Sequence, residues 1–368
     1  MEPVLTRLDL NRATLHRQHL LSRSGLSTAE MVDHLAGLQA QTPHTWYTGL
    51  WNRIENFRAE DASDLLAGRE LVRVALMRST IHLVGARDCL AMRPLLEPVT
   101  GRMTRSTFGK QLDGVDLDEL AALGRSLVEE RPMTFAELGK ALNGRWPDHD
   151  PHALGQGLRW RVPLVQVPPR GLWGRSGPVA HTSAEHWLGA QEPPMPPAEM
   201  VLRYLAAFGP ASVKDVQTWS GLTRLAEVVE SLELARFRAD DGTALYDLPD
   251  APQPPADTPA PARLMYDYDN LFLSHADRSR VITERARAVF PAFVKANVQP
   301  RMILLDGFTA GDWTTSRAKG TTTLSIHQWD PFSAADLAAV TEEAARLLEF
   351  LAPGDRHEVS VLHGASKT

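Results

Sequence analysis

The sequence predicts a helix-rich α+β protein with three tandem winged helix-turn-helix units and a C-terminal α/β module. An order of helices followed by a two-stranded ribbon occurs three times before residue 250. A proline-rich segment at residues 249–261 then separates these units from the remainder. Two strand-like stretches around residues 316–320 predict a long β-hairpin. Because 368 residues exceed one ordinary core, we expect domains at residues 1–98, 99–183, 184–250 and 251–368.

The first unit contains a strong helix-start signal. Ser27–Glu30 is typical of a capping box, in which the first and fourth residues satisfy each other's backbone. We expect this helix to stop by Thr42, because Pro43 disfavours helical backbone at the residue before it. Gln39 and Gln41 are therefore placed at a helix-to-loop corner, where side chains can project into a cleft.

The remaining elements follow from apolar spacing and turn residues. Residues 71–78 and 79–84 are predicted to form the ribbon of the first unit. The second unit is assigned helices at residues 117–128, from residue 134 and at residues 152–161, followed by a strand at residues 164–167. The third unit is assigned helices at residues 200–208, 212–219 and 222–232, with a ribbon around Asp241-Gly242. The C-terminal module is assigned strands at residues 302–305, 313–315, 321–326 and 358–362 and a helix at residues 335–351.

Composition limits the classes of protein that remain possible. The net charge of −6 argues against a surface that is basic everywhere, although a local basic face remains possible. The single cysteine, Cys89, excludes an internal disulfide and a cysteine-based zinc or redox site. The N-terminal residues lack a signal-peptide core, and no run of about 18 apolar residues suggests a membrane span. We expect a cytoplasmic protein with no membrane partner.

The common catalytic and cofactor motifs are missing from the sequence. We find no Walker A loop, dinucleotide fingerprint, HExxH, GxSxG or EF-hand pattern. The histidines do not have metal-ligand spacing with cysteine. We therefore expect neither a metal nor a cofactor. Three winged-helix units indicate nucleic-acid binding or an interaction array, so a DNA-binding regulator and a structural scaffold both remain alternatives to an enzyme.

An ordered set of short segments, spread over nearly the whole chain, resembles the AlkZ-type family of bacterial winged-helix DNA glycosylases. The matching segments are Leu35–Pro43, Trp51, Met77–Val84, Arg203–Pro210, Trp219–Gly221, Asp269–Leu271 and Ser274–Arg278. The resemblance implies three winged helices around a C-shaped cleft and the removal of alkylated purines from double-stranded DNA. It also implies possible action on bulky adducts and interstrand crosslinks, in general repair or in self-resistance to a genotoxin.

The same resemblance assigns the catalytic motif Q-x-Q to Gln39 and Gln41 and a DNA-probing β-hairpin to Trp313–Ile326. The chemistry suits amides, because a purine alkylated at N7 or N3 is cationic and already a good leaving group. Two carboxamides can hold a water molecule against C1′, but they are not strong bases. We therefore expect cationic lesions to be preferred over neutral ones such as uracil.

Four further residues are candidate DNA contacts. Arg78 on the first ribbon could bind phosphate, and His82 could line the cleft or simply pack within the ribbon. Arg317 and Lys319 at the hairpin tip could enter the minor groove or form an ordinary basic turn. Asp269 and Asn270 could brace the cleft or cap a turn, whereas Trp46 and Tyr47 suit packing better than base stacking. Three units in one chain suit a monomer that surrounds a single duplex site, whereas regulators usually bind as dimers.

Overall fold

The protein, described by a computed structural model over residues 2–291 and 300–366, is a mixed α+β structure with three sheets. Its α-helices in these ranges are Arg7–Arg17, Thr28–His34, Trp46–Trp51, Ala59–Ala67, Ala86–Phe108, Leu117–Glu130, Phe135–Asn143, Pro151–Arg161, Ala184–Leu188, Pro197–Phe208, Val213–Ser220, Ala226–Glu230, Glu284–Val289 and Ala334–Leu351. Short 3₁₀ helices lie at Met77–Ser79, Gly109–Leu112 and Asn270–Phe272. In the described ranges no helix combines the length and apolar character needed to cross a bilayer.

A six-stranded antiparallel sheet joins the ribbons of the first two predicted units. Its strands, in spatial order, are Leu38–Gln39, Ile81–Gly85, Leu71–Ala75, Leu164–Gln166, Ala180–Ser183 and Met133–Thr134. The joint is made where Arg73 pairs with Gln166 and Val74 with Val165. The helix Ala86–Phe108 also continues across the expected boundary at residue 98. The two units therefore share both a sheet and a helix.

The second sheet contains the predicted hairpin. Its strands are ordered Arg263–Leu264, Met302–Leu305, Phe308–Ala318, Thr321–Gln328 and Arg356–His363, and the last pair is parallel. The expected hairpin is confirmed, but its tip is only Lys319–Gly320, with φ of 50° and 76°. Positive φ at both central residues defines the type I′ turn that suits twisted hairpin strands.

The third sheet holds an N-terminal strand that the sequence analysis did not anticipate. Val4–Leu5 pairs in parallel with Ala235–Ala239, which pairs in turn with Ala244–Asp247. The predicted hairpin around Asp241-Gly242 is therefore confirmed, and the strand Val4–Leu5 from the N-terminal region extends it to three strands. A two-residue strand carries too little periodicity to be recognised from sequence.

The first unit shares a hydrophobic core with the C-terminal module. Trp46, Tyr47 and Leu50 are buried in the same cluster as Trp313 and Ile326 of the hairpin. Because roughly 25 cal/mol is gained per Å² of apolar surface buried, this shared core anchors the base of the hairpin against the segment that carries Gln39 and Gln41. Residues 314–318 of the first hairpin strand are exposed, whereas the second strand alternates between buried and half-buried residues.

The capping box predicted at Ser27 is present, and the helices that follow Thr134 and Ser212 also begin with capping boxes. The extent expected for the helix that follows Ser27 is wrong, however, because this helix ends at His34. Gly37 adopts φ of +94° and donates its N–H to the carbonyl of Val32 over 2.9 Å. A left-handed residue ends a helix, so the stop lies well before Pro43.

Candidate active site

Gln39 lies in an edge strand rather than at a helix-to-loop corner. Leu38–Gln39 pairs antiparallel with the ribbon strand, so that Gln39 is directly opposite His82. The φ of +94° at Gly37 makes this turn from helix to strand possible, and a Cβ there would lie 2.5 Å from Val84. Gln39 is buried, whereas Gln41 is exposed two residues further on. Glycine is required at position 37 because the chain there must both reverse and approach Val84 closely.

The backbone around the two glutamines is held by side chains from distant parts of the sequence. Asn270 accepts from the N–H of Gln39 over 3.0 Å and donates to the carbonyl of Gly37 over 2.7 Å. The Tyr266 hydroxyl donates to the Gln39 carbonyl over 3.0 Å. The carboxamide of Asn270 therefore substitutes for a missing neighbouring strand on this edge.

The central alanine of the motif is fixed in the same manner. The N–H of Ala40 donates to the carbonyl of Ile81 over 2.8 Å. The buried guanidinium of Arg73 donates to the Ala40 carbonyl over 2.8 Å. Since the backbone polar groups of Gln39 and Ala40 are all satisfied, the orientation of the two side chains is set before any ligand arrives.

Both glutamine side chains use their carboxamide oxygen within the protein. Arg78 donates to Oε1 of Gln39 over 2.6 Å. The N–H of Ile81 donates to Oε1 of Gln41 over 3.2 Å. These bonds orient each carboxamide, leaving its NH₂ group and the second lone pair of its oxygen for a ligand or water molecule.

Arg78 sits in an unusual backbone conformation. Both Arg78 and Ser79 have positive φ, of 54° and 59°, which is uncommon and costly outside glycine. Arg159 donates to the Ser79 carbonyl over 2.7 Å, and Arg78 donates to the carbonyl of Trp219. Burial, followed by repulsion from Arg278, lowers the pKa of Arg78 to about 10. The surrounding structure thus holds a strained turn that aims one guanidinium at Gln39.

His82 is completely buried on the strand that pairs with Gln39. Its Nδ1 lies 2.9 Å from the carbonyl of Thr80, so this nitrogen carries the proton. Its Nε2 has no hydrogen-bond partner among the described residues. Burial, with a smaller effect from Arg78, lowers the pKa of His82 to about 3. The imidazole is therefore neutral at physiological pH.

Several arginines without acidic partners lie around the Arg78–Ser79 turn. We refer to Arg78, Arg102, Arg159 and Arg278 as the arginine group. Within residues 2–291 and 300–366, none of them has a carboxylate within 4.0 Å. Arg102 donates to the carbonyl of Gly221. Unneutralised guanidinium groups suit phosphate binding, so this acidic protein carries a local group of positive charges around the Arg78–Ser79 turn, next to Gln39.

The two candidate residues of the hairpin tip are not in contact with the glutamines. Arg317 is largely exposed and donates two hydrogen bonds, of 2.6 and 2.7 Å, to Asp355. Lys319 is exposed at the first central position of the turn. Arg317, Trp313 and Tyr266 line one cavity of about 630 Å³. The hairpin is therefore connected to the glutamines through Tyr266.

The remaining candidate residues have structural roles. Trp46 and Tyr47 are fully buried and stack with ring centroids 3.8 Å apart, which confirms the packing interpretation. Asp269 caps the helix Asn270–Phe272 and receives two hydrogen bonds from Arg53, of 2.9 and 2.8 Å. Asp269 therefore fixes the turn from which Asn270 reaches the glutamine strand.

Arg73 and Tyr266 were not predicted from the sequence, and Asn270 was predicted only to brace the cleft or cap a turn, without its contact to the glutamine strand. A signal was present in the polar run Tyr266–Asn270, but its contact with Gln39 joins residues more than 200 positions apart. No local pattern encodes such a pairing.

A model of the DNA glycosylase AlkZ-like family matches residues 32–350. Because this match covers most of the chain, the protein belongs to the AlkZ-like DNA glycosylase family. The solved structure of Streptomyces sahachiroi DNA glycosylase AlkZ aligns with a TM-score of 0.79 at 20% identity, covering 98% of this chain and 100% of that one. This similarity shows a shared fold over nearly the whole chain.

A curated relative from Streptomyces sahachiroi, named interstrand DNA cross-link repair glycosylase, is 26% identical over 229 residues. That alignment covers 56% of this chain and 58% of the relative. The chain therefore aligns with little more than half of that relative's length.

Proposed function

We propose that this protein is a monofunctional DNA glycosylase that hydrolyses the N-glycosidic bond of purines alkylated at N7 or N3. The observation that carries this proposal is the fixed presentation of Gln39 and Gln41 beside the arginine group. The backbone of Gln39 is held by Asn270 and Tyr266, and its side chain by Arg78. Membership of the AlkZ-like family gives this geometry a DNA substrate.

In the proposed arrangement, three winged-helix units at residues 1–98, 99–183 and 184–250 surround one duplex as a C-shaped monomer, and the C-terminal module presents the hairpin. The arginine group receives the phosphate backbone. Lys319 and Arg317 approach the minor groove near the lesion. The hairpin's rigid base in the core shared with Trp46 supports this role, because a probe must resist displacement.

The proposed reaction needs little acid catalysis. The C1′–N9 bond breaks with its electron pair on the departing purine, whose positive charge is thereby cancelled. A water oxygen forms the new C1′–O bond, and the water's proton leaves to solvent. Gln39 and Gln41 position this water, and their main contribution is the avoided cost of bringing the reactants together.

The decisive experiment is single-turnover excision of 7-methylguanine from duplex DNA, read as abasic sites. We expect excision by the wild type and a loss of about 100-fold or more in the Gln39→Ala/Gln41→Ala variant, with duplex binding retained. As a matched control, Gln217→Ala removes a glutamine whose side-chain oxygen accepts from the N–H of Leu225, away from the motif. Binding by the wild type without any excision would overturn the proposal and favour a non-catalytic DNA-binding regulator.

Substrate preference supplies a second test of the same mechanism. A neutral base such as uracil leaves poorly unless an acid or a carboxylate-stabilised cation assists, and the two glutamines offer neither. We expect 7-methylguanine to be released much faster than uracil from matched duplexes. Equal rates would show that the leaving-group argument does not describe this enzyme.

Crosslink repair is a further part of the proposal, supported by the name of the Streptomyces sahachiroi relative, interstrand DNA cross-link repair glycosylase. A crosslinked base is tethered to the opposite strand and cannot rotate freely out of the duplex, so an open site with little base flipping would suit it. The test is denaturing electrophoresis of a duplex joined through two N7-alkylated guanines. Conversion to single strands by the wild type, but not by the double variant, is expected.

A further inference from the structure

The proposed reaction, on which this inference rests, places positive charge on the sugar as the purine departs. The two glutamines are neutral, and the charged group in contact with Gln39 is the cation Arg78. Both carboxamide oxygens already accept a hydrogen bond. The residues described so far therefore leave the site without a negative charge to stabilise the sugar cation.

Two other buried carboxylates, those of Asp269 and Asp88, are paired with arginines. Asp269 is buried and receives two hydrogen bonds from Arg53. Asp88 receives two hydrogen bonds from Arg203, both of 2.6 Å. A carboxylate paired in this way projects little net field beyond its partner.

Asp267 differs from these groups. One of its oxygens accepts a hydrogen bond of 2.5 Å from the hydroxyl of Thr42, the residue that follows Gln41. Its other oxygen, Oδ1, is buried and has no hydrogen-bond partner among the described residues. Within the same ranges no basic side chain lies within 4.0 Å of it. An unpaired buried carboxylate oxygen costs about 1–3 kcal/mol, so its retention calls for an explanation.

The position of Asp267 is fixed relative to the glutamines. Its neighbour Tyr266 donates to the Gln39 carbonyl, and Asn270 holds the N–H of Gln39. Thr42 adds a third point of attachment. Residues 266–270 therefore run alongside the Gln39–Gln41 motif. Among the described contacts of this segment, the Asp267 carboxylate has no basic partner, and it faces Thr42.

The charge of Asp267 also acts beyond its hydrogen bond. Arg301 lies over the ring of Trp313 at 5.0 Å from its centroid. Burial lowers the pKa of Arg301, and Asp267 opposes this effect without being in contact with it. Low-dielectric surroundings let a charge act over such distances.

We propose that Asp267 supplies the negative charge of the active site and stabilises the sugar cation while C1′–N9 breaks. Thr42 orients the carboxylate by occupying one oxygen, and the other oxygen has no neutralising partner within residues 2–291 and 300–366. Gln39 and Gln41 then position the water. The neutral pair therefore orients the nucleophile, and the one anion stabilises the sugar cation.

The test compares Asp267→Asn with Thr42→Val, using single-turnover excision of 7-methylguanine and duplex affinity. Asp267→Asn keeps an acceptor for Thr42 but removes the charge, and we expect a rate loss of about 100-fold with unchanged or tighter DNA binding. Thr42→Val keeps the charge and removes the hydrogen bond, and we expect a loss below about tenfold.

Two outcomes would overturn the inference. A rate for Asp267→Asn within about threefold of the wild type would show that the charge is not used. Equal losses in both variants would assign Asp267 only a structural role as the partner of Thr42. If Asp267→Asn does not fold, Asp267→Ser takes its place.

Failure of the wild type to release 7-methylguanine would instead remove the proposed function. The two failures are therefore distinguishable in one data set.

Discussion

Arg78 donates a hydrogen bond of 2.6 Å to Oε1 of Gln39, which precedes it by 39 residues. Sequence analysis expected Arg78 to be a phosphate contact, and that remains a proposal. The geometry adds a second role, because a guanidinium on Oε1 determines which end of the carboxamide faces outward. The strained turn at Arg78–Ser79 is consistent with a functional constraint at this point.

The first prediction concerns Arg78→Met, which removes the hydrogen bond to Gln39. We expect the single-turnover excision rate to fall about tenfold or more, because the carboxamide loses its fixed orientation. Arg102→Met is the matched control, since Arg102 belongs to the arginine group but contacts Gly221. For this control we expect weaker binding and a salt dependence reduced by about one unit, with an unchanged rate at saturating enzyme. Identical phenotypes for the two variants would contradict a positioning role for Arg78.

The second prediction concerns Asn270→Ala, which removes both hydrogen bonds from the glutamine strand. Two buried backbone groups lose their partners, so we expect a loss of about 1–3 kcal/mol in unfolding free energy for each. We also expect excision to fall because the strand is no longer held. Hydrogen exchange at the amide of Gln39 should accelerate in this variant. Unchanged protection of that amide would show that Asn270 does not clamp the strand in solution.

The third prediction concerns Lys319→Asn at the hairpin tip. Asparagine tolerates the positive φ of the type I′ turn, so the fold is retained while one charge is lost. If Lys319 contacts phosphate, the slope of log affinity against log salt concentration should decrease by about one unit. Lys140→Asn, on the helix Phe135–Asn143, is a control for loss of one positive charge elsewhere. The same slope in both variants would argue against a contact at the tip.

The fourth prediction concerns the pH dependence of stability through His82. The folded-state pKa is lowered to about 3, below the ordinary value of 6.5, mainly by burial. The unfolded chain therefore binds a proton first as pH falls, and the stability contributed by neutral His82 is present above about pH 6.5 and is lost towards pH 3. The expected slope is about 1.4 kcal/mol per pH unit in that window.

Denaturant unfolding between pH 7 and 4 measures this slope. In His82→Gln we expect stability to fall less steeply with acid than in the wild type. The exposed His363→Gln is the control for removal of a histidine elsewhere. A parallel dependence in all three proteins would mean that His82 does not remain neutral in the folded state.

Local signals predicted many of the elements correctly. The capping boxes at Ser27, Thr134 and Ser212 mark real helix starts, because the bonds that define them lie within four residues. The turns Asp306–Gly307 and Lys319–Gly320 join the expected antiparallel strands. The early stop at Gly37 was missed, since glycine within an apolar helical pattern does not reveal its φ.

The sequence by itself determined the α+β composition, the hairpin and the identity of Gln39 and Gln41 as candidates, because these depend on neighbouring residues and on an ordered set of motifs. Only the tertiary structure decided that Gln39 lies in an edge strand, that Asn270 and Tyr266 hold it, and that Arg78 faces its oxygen. It also showed that one oxygen of Asp267 accepts from Thr42 while the other has no partner in the part of the chain that the structure describes. The physical reason is that these bonds join residues far apart in sequence, whose meeting depends on the packing of the whole chain.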